Sequence, residues 1–181
     1  MLQKYFIAIV PPEPLLSDIQ NIKQSISDNY ESKGALRSPG HMTLHMPFSF
    51  DESKENKLIE CLSDFKFKTQ FPISLNNYDC FEPRVIFINV QEQAELFNLQ
   101  KQLVSHVKRH LNIFNQSDDM RGFHPHITIA FRDLKKPTFY KAWEEYKSKT
   151  FSADFICNSF SLLKHQNEEW VVLKEFNNLL S

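Results

Sequence analysis

The feature that most constrains this chain is a four-residue pattern that occurs twice: histidine, apolar residue, threonine, apolar residue. It reads HMTL at residues 41–44 and HITI at residues 126–129, so the copies are 126 − 41 = 85 residues apart. In a chain of 181 residues, that is about half the length. Such a spacing predicts a duplicated folding unit, because self-similarity at a fixed period is the usual signature of repeated supersecondary structure.

The segments around the two motifs repeat as well. The apolar run at residues 6–10 matches the run at residues 86–90, and each run is followed by a segment with apolar residues at helical spacing. These residues are Leu15, Ile19, Ile22 and Ile26 after the first run, and Leu96, Leu99, Leu103 and Val107 after the second. Further along the chain, Phe71 matches Phe151. Two chance matches to a short motif would not explain why the flanking segments agree too.

Hydrophobic periodicity predicts alternating strands and helices. We expect strands at residues 5–10, 41–48, 71–81, 84–90, 123–131, 151–163 and 170–176, and helices at residues 13–30, from the cap Asp51 to Leu62, at 93–111 and at 137–148. The order strand–helix–strand–helix–strand–strand therefore occurs twice, with the strand at residues 84–90 serving both halves. We expect an α+β fold with two pseudo-symmetric lobes, each a small, mainly antiparallel sheet with two helices, and a central cleft between the lobes. Residues 1–181 would form one bilobed domain, with the repeats at about 1–83 and 84–181.

The composition limits the partners and the environment that we expect. The net charge is −1, so no overall basic field draws the protein onto long nucleic acid, and any such contact should be local. Three cysteines without close spacing fit reduced thiols in a cytoplasmic protein better than a disulfide framework. No apolar stretch is long enough to cross a membrane, so we expect no membrane partner. A bilobed monomer would need no partner subunit.

The two motifs also predict which side chains meet. Side chains alternate across a strand, so His41, Thr43 and His45 should share one face of the first motif strand. His126 and Thr128 should share a face of the second, opposite its apolar residues. If the two halves pair about a pseudo-twofold axis, these polar faces meet across the cleft.

The paired motifs, within duplicated strand–helix units, resemble those of the 2H phosphoesterase superfamily, which includes bacterial 2',3'-cyclic phosphodiesterases that are also called 2'-5' RNA ligases. The resemblance covers essentially the whole chain. It implies that His41 and His126 are catalytic and that Thr43 and Thr128 bind phosphate, with His126 as base and His41 as acid. The sequence alone does not settle which histidine is which, because the site is close to symmetric.

The residue types suit this chemistry. Opening a cyclic phosphodiester with water needs a base for the nucleophile and an acid for the departing alkoxide, and histidine can serve as either near neutral pH. Threonine hydroxyls can donate hydrogen bonds to the phosphoryl oxygens, where charge gathers in the transition state. We therefore expect a phosphodiesterase without metal or cofactor that acts on 2',3'-cyclic or 2'-5' phosphodiesters of RNA ends or small nucleotides. It could run in reverse as a ligase at high concentrations of ends.

Charged residues near the motifs are candidates for substrate binding. Relatives in the resembled family often carry a basic residue just after the second motif strand, and Arg132 lies six residues past His126. Lys33 and Arg37 precede the first motif and Arg121 precedes the second, so they could steer an RNA end. His45 is a further candidate at the cleft rim.

Two other classes of function stay open at this point. Small repeats of strands and helices with many aromatic residues also occur in non-catalytic RNA- or nucleotide-binding modules. A metal-dependent hydrolase could use His106 and His110, which are four residues apart on a predicted helix. Turnover of a nucleoside 2',3'-cyclic phosphate in EDTA would separate both from the two-histidine enzyme.

Overall fold

The structure is a computed structural model in which residues 1–67, 70–115 and 122–177 are described. The strands are β1 (Leu2–Ile9), β2 (Met42–Asp51), β3 (Phe71–Phe81), β4 (Val85–Val90), β5 (His126–Ala130), β6 (Ser152–Cys157), β7 (Phe160–Gln166) and β8 (Glu169–Phe176). The helices are α1 (Leu15–Tyr30), α2 (Glu55–Asp64), α3 (Ala94–Leu111) and α4 (Lys136–Tyr146), with short 3-10 helices at Gly34–Arg37 and Glu52–Lys54. No helix in the described ranges is long and apolar enough to span a bilayer.

The strands form one antiparallel sheet in the order β6-β3-β4-β5-β2-β1-β7-β8, which confirms the predicted α+β class. Four strands lie on each side of the seam between β5 and β2. That seam is narrow, because the pairing between β2 and β5 is the match of Met42 with Ile127, whereas β1 and β2 pair from Leu2 to Ile9. The sheet therefore has two four-stranded halves, but each half combines strands of both predicted repeats. Strand β3 of the first repeat lies with β4, β5 and β6, whereas β7 and β8 of the second repeat lie with β1 and β2, so a division at residues 83 and 84 does not separate the halves. Strand β4 lies inside one half and does not serve both.

The sheet is strongly curled. Strand β6 lies at one edge and β7 lies next to β1 on the other side of the seam, yet only Asn158 and Ser159 separate them in the chain. Three residue steps span at most about 11 Å, so the end of β6 and the start of β7 must lie close together. The single strand predicted at residues 151–163 is therefore wrong: it is two strands, which pair with β3 and β1 respectively.

A large apolar core fills one face of the sheet. In β1, Tyr5, Ile7 and Ile9 belong to this core, while Phe6 and Ala8 point to the other face and form a small cluster with Leu163. The helices present their apolar stripes to the large core, as the periodicity predicted. Their buried residues there include Ile19, Ile26, Leu58, Leu62, Leu96, Leu99, Leu103, Val107, Phe139 and Ala142. The opposite face, which carries Phe6 and Ala8, lies away from this core and can hold a functional site.

In the structure, the strands of the two repeats align one residue away from the alignment that the apolar runs predicted. Ala8 pairs with Thr43 in the first half, and Phe87 pairs with Thr128 in the second. The equivalent strand residues are thus 87 − 8 = 79 apart, whereas the match of the runs at residues 6–10 and 86–90 implies 80. Residues 6–10 are apolar on both faces, and residues 86–90 contain Asn89 as their single polar residue, so alternation did not set the relative register of the two runs.

Local features at the ends of the motif strands agree with the predicted boundaries in part. Asp51 is a cap, but for the short helix Glu52–Lys54, where its carboxylate accepts a hydrogen bond from the backbone N–H of Ser53 at 3.2 Å. Strand β5 begins at His126 rather than at residue 123. Of the loop predicted at residues 112–122, the part at 116–121 lies outside the described residues, and Arg121 with it.

Candidate active site

The two motif strands lie side by side at the centre of the sheet. Because β2 and β5 are antiparallel and Met42 pairs with Ile127, the register puts His41 opposite Thr128 and Thr43 opposite His126. Met42 and Ile127 are fully buried in the core. The residues next to a bridged pair point to the opposite face. The two histidines and two threonines therefore come together on the face away from the core, where all four are partly exposed.

Both histidines are held in the same way. The Nδ1 atom of His41 lies 2.8 Å from the carbonyl oxygen of Pro39, and Nδ1 of His126 lies 2.7 Å from that of His124. In each case the acceptor is two residues before the histidine. A carbonyl oxygen only accepts, so Nδ1 carries the proton in both rings. Nε2 is then the nitrogen that can take up or release a proton in the cleft.

Aromatic rings support each imidazole. The ring of His41 packs against Phe6 at 4.7 Å between centroids, and Phe6 meets the ring of Trp170 edge-on at 4.7 Å. On the other side of the seam, His126 packs against Phe87 at 4.9 Å and edge-on against Phe81 at 5.3 Å. These contacts restrict the orientation of both rings and reduce their contact with water.

Burial lowers the pKa of both histidines. The pKa of His41 falls from 6.5 to about 4 through burial, with smaller contributions from the positive charges of Lys23 and His126, against the opposing effect of the Pro39 carbonyl. The pKa of His126 is also lowered by burial and by the charge of His124, against the hydrogen bond to the His124 carbonyl. Both rings are therefore neutral in the free protein near neutral pH.

The four motif residues line one cleft of about 420 Å³. The cleft also contains Arg37 and Arg132, so these two of the three candidate arginines lie at the same site. Arg132 follows β5 in a left-handed backbone conformation (φ 61°), and its guanidinium lies over the ring of Phe131 at 5.1 Å. Lys33 is not among the residues that line the cleft. Its backbone N–H instead donates a hydrogen bond to Asp133.

A clamp between the two halves positions the arginines. The carboxylate of Asp133 accepts hydrogen bonds from the Ser32 hydroxyl at 2.9 Å and from the backbone N–H groups of Lys33 at 2.7 Å and Gly34 at 2.8 Å. A Cβ on Gly34 would lie 3.0 Å from the carbonyl oxygen of Phe131, so the close approach favours glycine. The clamp ties the turn that carries Arg132 to the 3-10 helix that ends at Arg37.

His45 does not lie in the cleft, so the prediction that it shares a face with His41 is wrong. Its strand partner is Ile7, a core residue, and a register shift separates this pair from the Ala8–Thr43 pair. Such a β-bulge turns the next side chain to the other face. His45 is fully buried, bonds to the Met46 carbonyl through Nδ1 at 2.9 Å, and its Nε2 has no partner among the described residues.

The same irregularity occurs in the second half. A register shift separates the pair of Phe87 with Thr128 from the pair of Ile86 with Ala130, so Ala130 also turns into the core. Ala130 is the residue that corresponds to His45 under the 85-residue offset. The bulge directly after each motif threonine is therefore part of the repeated unit.

The hairpin between β7 and β8 contributes cleft residues that the sequence did not indicate. His165 pairs with Trp170 across a two-residue turn, and their rings meet at 4.9 Å. Both turn residues, Asn167 and Glu168, have positive φ angles, as a tight hairpin turn requires. Glu168 lines the cleft together with His165 and Trp170. The signal that could have found them is the pair of aromatic residues flanking a short polar turn.

The pair proposed for metal binding is elsewhere. The rings of His106 and His110 lie 4.4 Å apart on α3, and Nε2 of His106 is engaged with the Cys61 carbonyl at 2.8 Å. Within the described ranges, no group of three or more histidine, cysteine or acidic side chains is arranged to hold a metal ion. The pair thus has no third ligand in that part of the protein.

The chain resembles known proteins both in sequence and in structure. Residues 11–169 match the sequence profile of the 2'-5' RNA ligase superfamily. A candidate phosphoesterase of Geobacillus kaustophilus is 30% identical over 177 residues, which cover 96% of this chain and 95% of that protein. An RNA 2',3'-cyclic phosphodiesterase of Archaeoglobus fulgidus is 25% identical over 152 residues, covering 82% of this chain and 83% of the other.

Solved structures share the fold. The crystal structure of Escherichia coli LigT complexed with 3'-AMP superposes with a TM-score of 0.67 at 21% identity, covering 97% of this chain and 98% of that one. The same protein complexed with ATP gives a TM-score of 0.61 at 18% identity, with 99% and 100% covered. At such low sequence identities, these likenesses show a shared fold and nothing more.

Proposed function

The chain belongs to the 2'-5' RNA ligase superfamily, and from this we propose that it is a metal-independent phosphodiesterase that opens 2',3'-cyclic phosphates with two histidines. The observation that carries the proposal is the matched pair of imidazoles. His41 and His126 each donate Nδ1–H to a carbonyl two residues back, and both line a cleft that Thr43 and Thr128 share. Similarity to a cyclic phosphodiesterase of Archaeoglobus fulgidus supports the same substrate class.

In the proposed reaction, His126 acts as the base. Its neutral Nε2 accepts a proton from a water molecule, whose oxygen forms a bond to phosphorus. The low pKa of His126 keeps Nε2 unprotonated near neutral pH, which suits this role. The threonine hydroxyls donate hydrogen bonds to the two non-bridging oxygens as negative charge gathers on them.

His41 acts as the acid. One bond from phosphorus to a ribose oxygen breaks, and the proton of the His41 imidazolium passes to that oxygen, so the product is a phosphomonoester on a ribose that carries one free hydroxyl. Burial lowers the pKa of His41 in the free protein, and the anionic phosphate of a bound substrate should raise it again. Proton exchange with water then restores both rings.

The asymmetry of the cleft supports this division of roles. The buried ring of Phe6 lies between His41 and Trp170, and His165 follows Trp170. Trp170 and His165 are partly exposed and line the cleft, so that side offers ring faces on which a nucleobase can stack. A nucleoside bound there has its ribose nearer to His41. The leaving oxygen stays on the ribose, so His41 would be the acid, and His126 would face the incoming water.

A nucleotide hydroxyl that attacks phosphorus in place of water would join two ends with the same division of roles: His126 takes the proton of the hydroxyl, and His41 gives a proton to the ribose oxygen that leaves. The reverse step, cleavage of the joined 2'-5' linkage, would use the same two histidines with base and acid exchanged. Hydrolysis should dominate in dilute solution, since water is in large excess over RNA ends.

The test is turnover of a nucleoside 2',3'-cyclic phosphate in the presence of EDTA. His41→Ala and His126→Ala should each reduce kcat/KM by roughly 10²- to 10⁴-fold, the usual contribution of one proton-transfer residue. His110→Gln is a matched control, because His110 is an exposed histidine outside the cleft. Tight nucleotide binding without turnover would instead favour a binding module, and activity lost in EDTA and in His110→Gln would favour the metal-dependent alternative.

A further inference from the structure

A second groove adjoins the cleft on the side of Trp170. It has a volume of about 580 Å³, and we call it the outer groove. Its lining includes Lys4, Ser49, Phe114, Arg132, His165 and Trp170. Arg132, His165 and Trp170 line the cleft as well, so the two cavities share a wall. A molecule that fills the cleft could therefore continue into the outer groove without leaving the surface of the protein.

The floor of the outer groove is part of the sheet face that carries the site. Lys4 lies two residues before Phe6 in β1 and so shares the face of Phe6. Lys4 pairs with Ser49 in β2, and His165 pairs with Trp170 between β7 and β8. The pair of Tyr5 with Lys164 puts Lys4 next to His165. Ser49, Lys4, His165 and Trp170 thus form a row across four neighbouring strands.

The charge of the outer groove differs from that of the whole protein. The chain as a whole carries 22 acidic and 21 basic residues. Among the described residues that line the outer groove there are Lys4 and Arg132 but no aspartate or glutamate. The nearby Lys108 adds a third cation, with its ammonium 5.0 Å above the ring of Phe114. The groove therefore suits a chain of negative charges.

Aromatic rings line the same groove. Phe114 is 53% exposed, which is unusual for a phenylalanine in a chain that buries most of its large apolar side chains. Trp170 stands where the groove meets the cleft. Alternating cations and exposed ring faces are the features by which proteins hold single-stranded nucleic acid, with phosphates on the cations and bases on the rings.

We propose that the outer groove binds the nucleotides that precede the terminal cyclic phosphate, so that the preferred substrate is a single-stranded RNA end rather than a free mononucleotide. The inference rests on the proposed function, because it takes the reacting phosphate to lie between His41 and His126. The strand leaves the cleft past Trp170, its backbone passes Lys4 and Arg132, and a base stacks on Phe114. A mononucleotide reaches only the cleft.

Another cationic groove provides the control. Lys66, Lys101 and Arg109 line a groove of about 540 Å³ beside α2 and α3 that shares no lining residue with the cleft. Charge alone would allow RNA to bind there, but a strand in that groove would not have its end at the histidines. Lys101→Ala removes one exposed cation from it and matches Lys4→Ala in charge and exposure.

The experiment compares kcat/KM for a short oligoribonucleotide ending in a 2',3'-cyclic phosphate with kcat/KM for the matching mononucleotide. The ratio should exceed one in the unmodified protein. Phe114→Ala should lower it by roughly 5- to 100-fold, the range for loss of one stacked base. Lys4→Ala should lower it by about 3- to 10-fold, less so at high salt. Lys101→Ala should leave it unchanged.

The outcomes separate this inference from the proposed function. If both substrates turn over equally and neither Lys4→Ala nor Phe114→Ala changes the ratio, the outer groove does not bind RNA, although the phosphodiesterase stands. If neither substrate turns over, the proposed function fails, and fluorescence anisotropy with a labelled 3'-phosphorylated oligoribonucleotide decides on the groove. Weaker binding in Lys4→Ala and Phe114→Ala, but not in Lys101→Ala, supports it, and equal binding in all variants overturns it.

Discussion

His41 stands opposite Thr128 across the seam of the sheet, and Thr43 stands opposite His126, so each histidine faces the threonine of the other motif. The arrangement follows from the pairing of Met42 with Ile127, which buries the two apolar residues and turns the polar residues on either side of them to the opposite face. One motif alone would supply one histidine and one threonine, without the residue that faces each of them. The repeat is thus needed to build one site rather than two.

Replacing the threonines by valine tests whether the hydroxyls act on the phosphate. Thr43→Val and Thr128→Val keep the β-branched shape that suits a strand. We expect each to reduce kcat by roughly 10²-fold, as for other donors that stabilise developing negative charge. Thr43→Ser and Thr128→Ser should recover most of the activity. Unchanged turnover in both valine variants, with folding checked by circular dichroism, would contradict the assigned role.

The pH dependence of kcat/KM should be a bell with its maximum on the acid side of pH 6.5. The lower limb reports protonation of the base and the upper limb loss of the proton from the acid, as macroscopic values of the coupled pair. Because burial lowers the pKa of both His41 and His126 below 6.5, both limbs lie below the usual range for histidine. Rates that rise steadily into alkaline solution would argue against the mechanism.

Lys23 should shift that profile without touching the substrate. It is 1% exposed, its ammonium donates to the Ser38 carbonyl at 3.1 Å, and its positive charge lowers the pKa of His41. Burial lowers the pKa of Lys23 itself to about 7, so it is charged in acid solution, where the enzyme should be most active. Lys23→Met should therefore move the bell to higher pH. An unshifted profile in a folded Lys23→Met protein would show that the charge has no such effect.

His45 should make the fold less stable in acid. Burial lowers the pKa of His45 in the folded protein, so the unfolded chain binds the proton more readily, and the free energy of unfolding should fall as the pH drops below 6.5. The slope from one such group is at most about 1.4 kcal/mol per pH unit. His45→Met removes it, and denaturant unfolding between pH 7 and pH 5 should show a shallower loss, with His41 and His126 still contributing. Above pH 7, His45 is neutral in both the folded and the unfolded protein, so any difference in the free energy of unfolding there reports a change in packing instead of protonation.

Asp133 should matter to substrate binding more than to chemistry. Asp133→Ala removes three hydrogen bonds between the turn after β5 and the segment before Arg37, and should lower the free energy of unfolding by about 1–3 kcal/mol. The turn that carries Arg132 then loosens, so KM should rise more than kcat falls. A steady-state comparison with Asp133→Asn, which keeps one acceptor oxygen, is the measurement. A fall in kcat at constant KM would contradict this division.

Much of the fold followed from local pattern. The stripe of Leu96, Leu99, Leu103 and Val107 predicted α3, and all four are buried. The strand predicted at residues 151–163 failed because its break at Asn158 and Ser159 depends on where the flanking segments pair. Hydrophobic pattern reports which residues are apolar, and pairing partners across the sheet are not part of that signal.

The sequence by itself determined which side chains alternate toward the cleft: the spacing within each motif separates His41 and Thr43 from the apolar residue between them, and the repeat implies that His126 and Thr128 do the same. Only the tertiary structure decided that His45 turns into the core, since a bulge depends on how many residues each of two paired strands contributes. The same holds for His165 and Trp170, which reach the cleft because β7 pairs with β1, a strand more than 150 residues earlier. Alternation is a property of one strand, whereas register and neighbours belong to the assembled sheet.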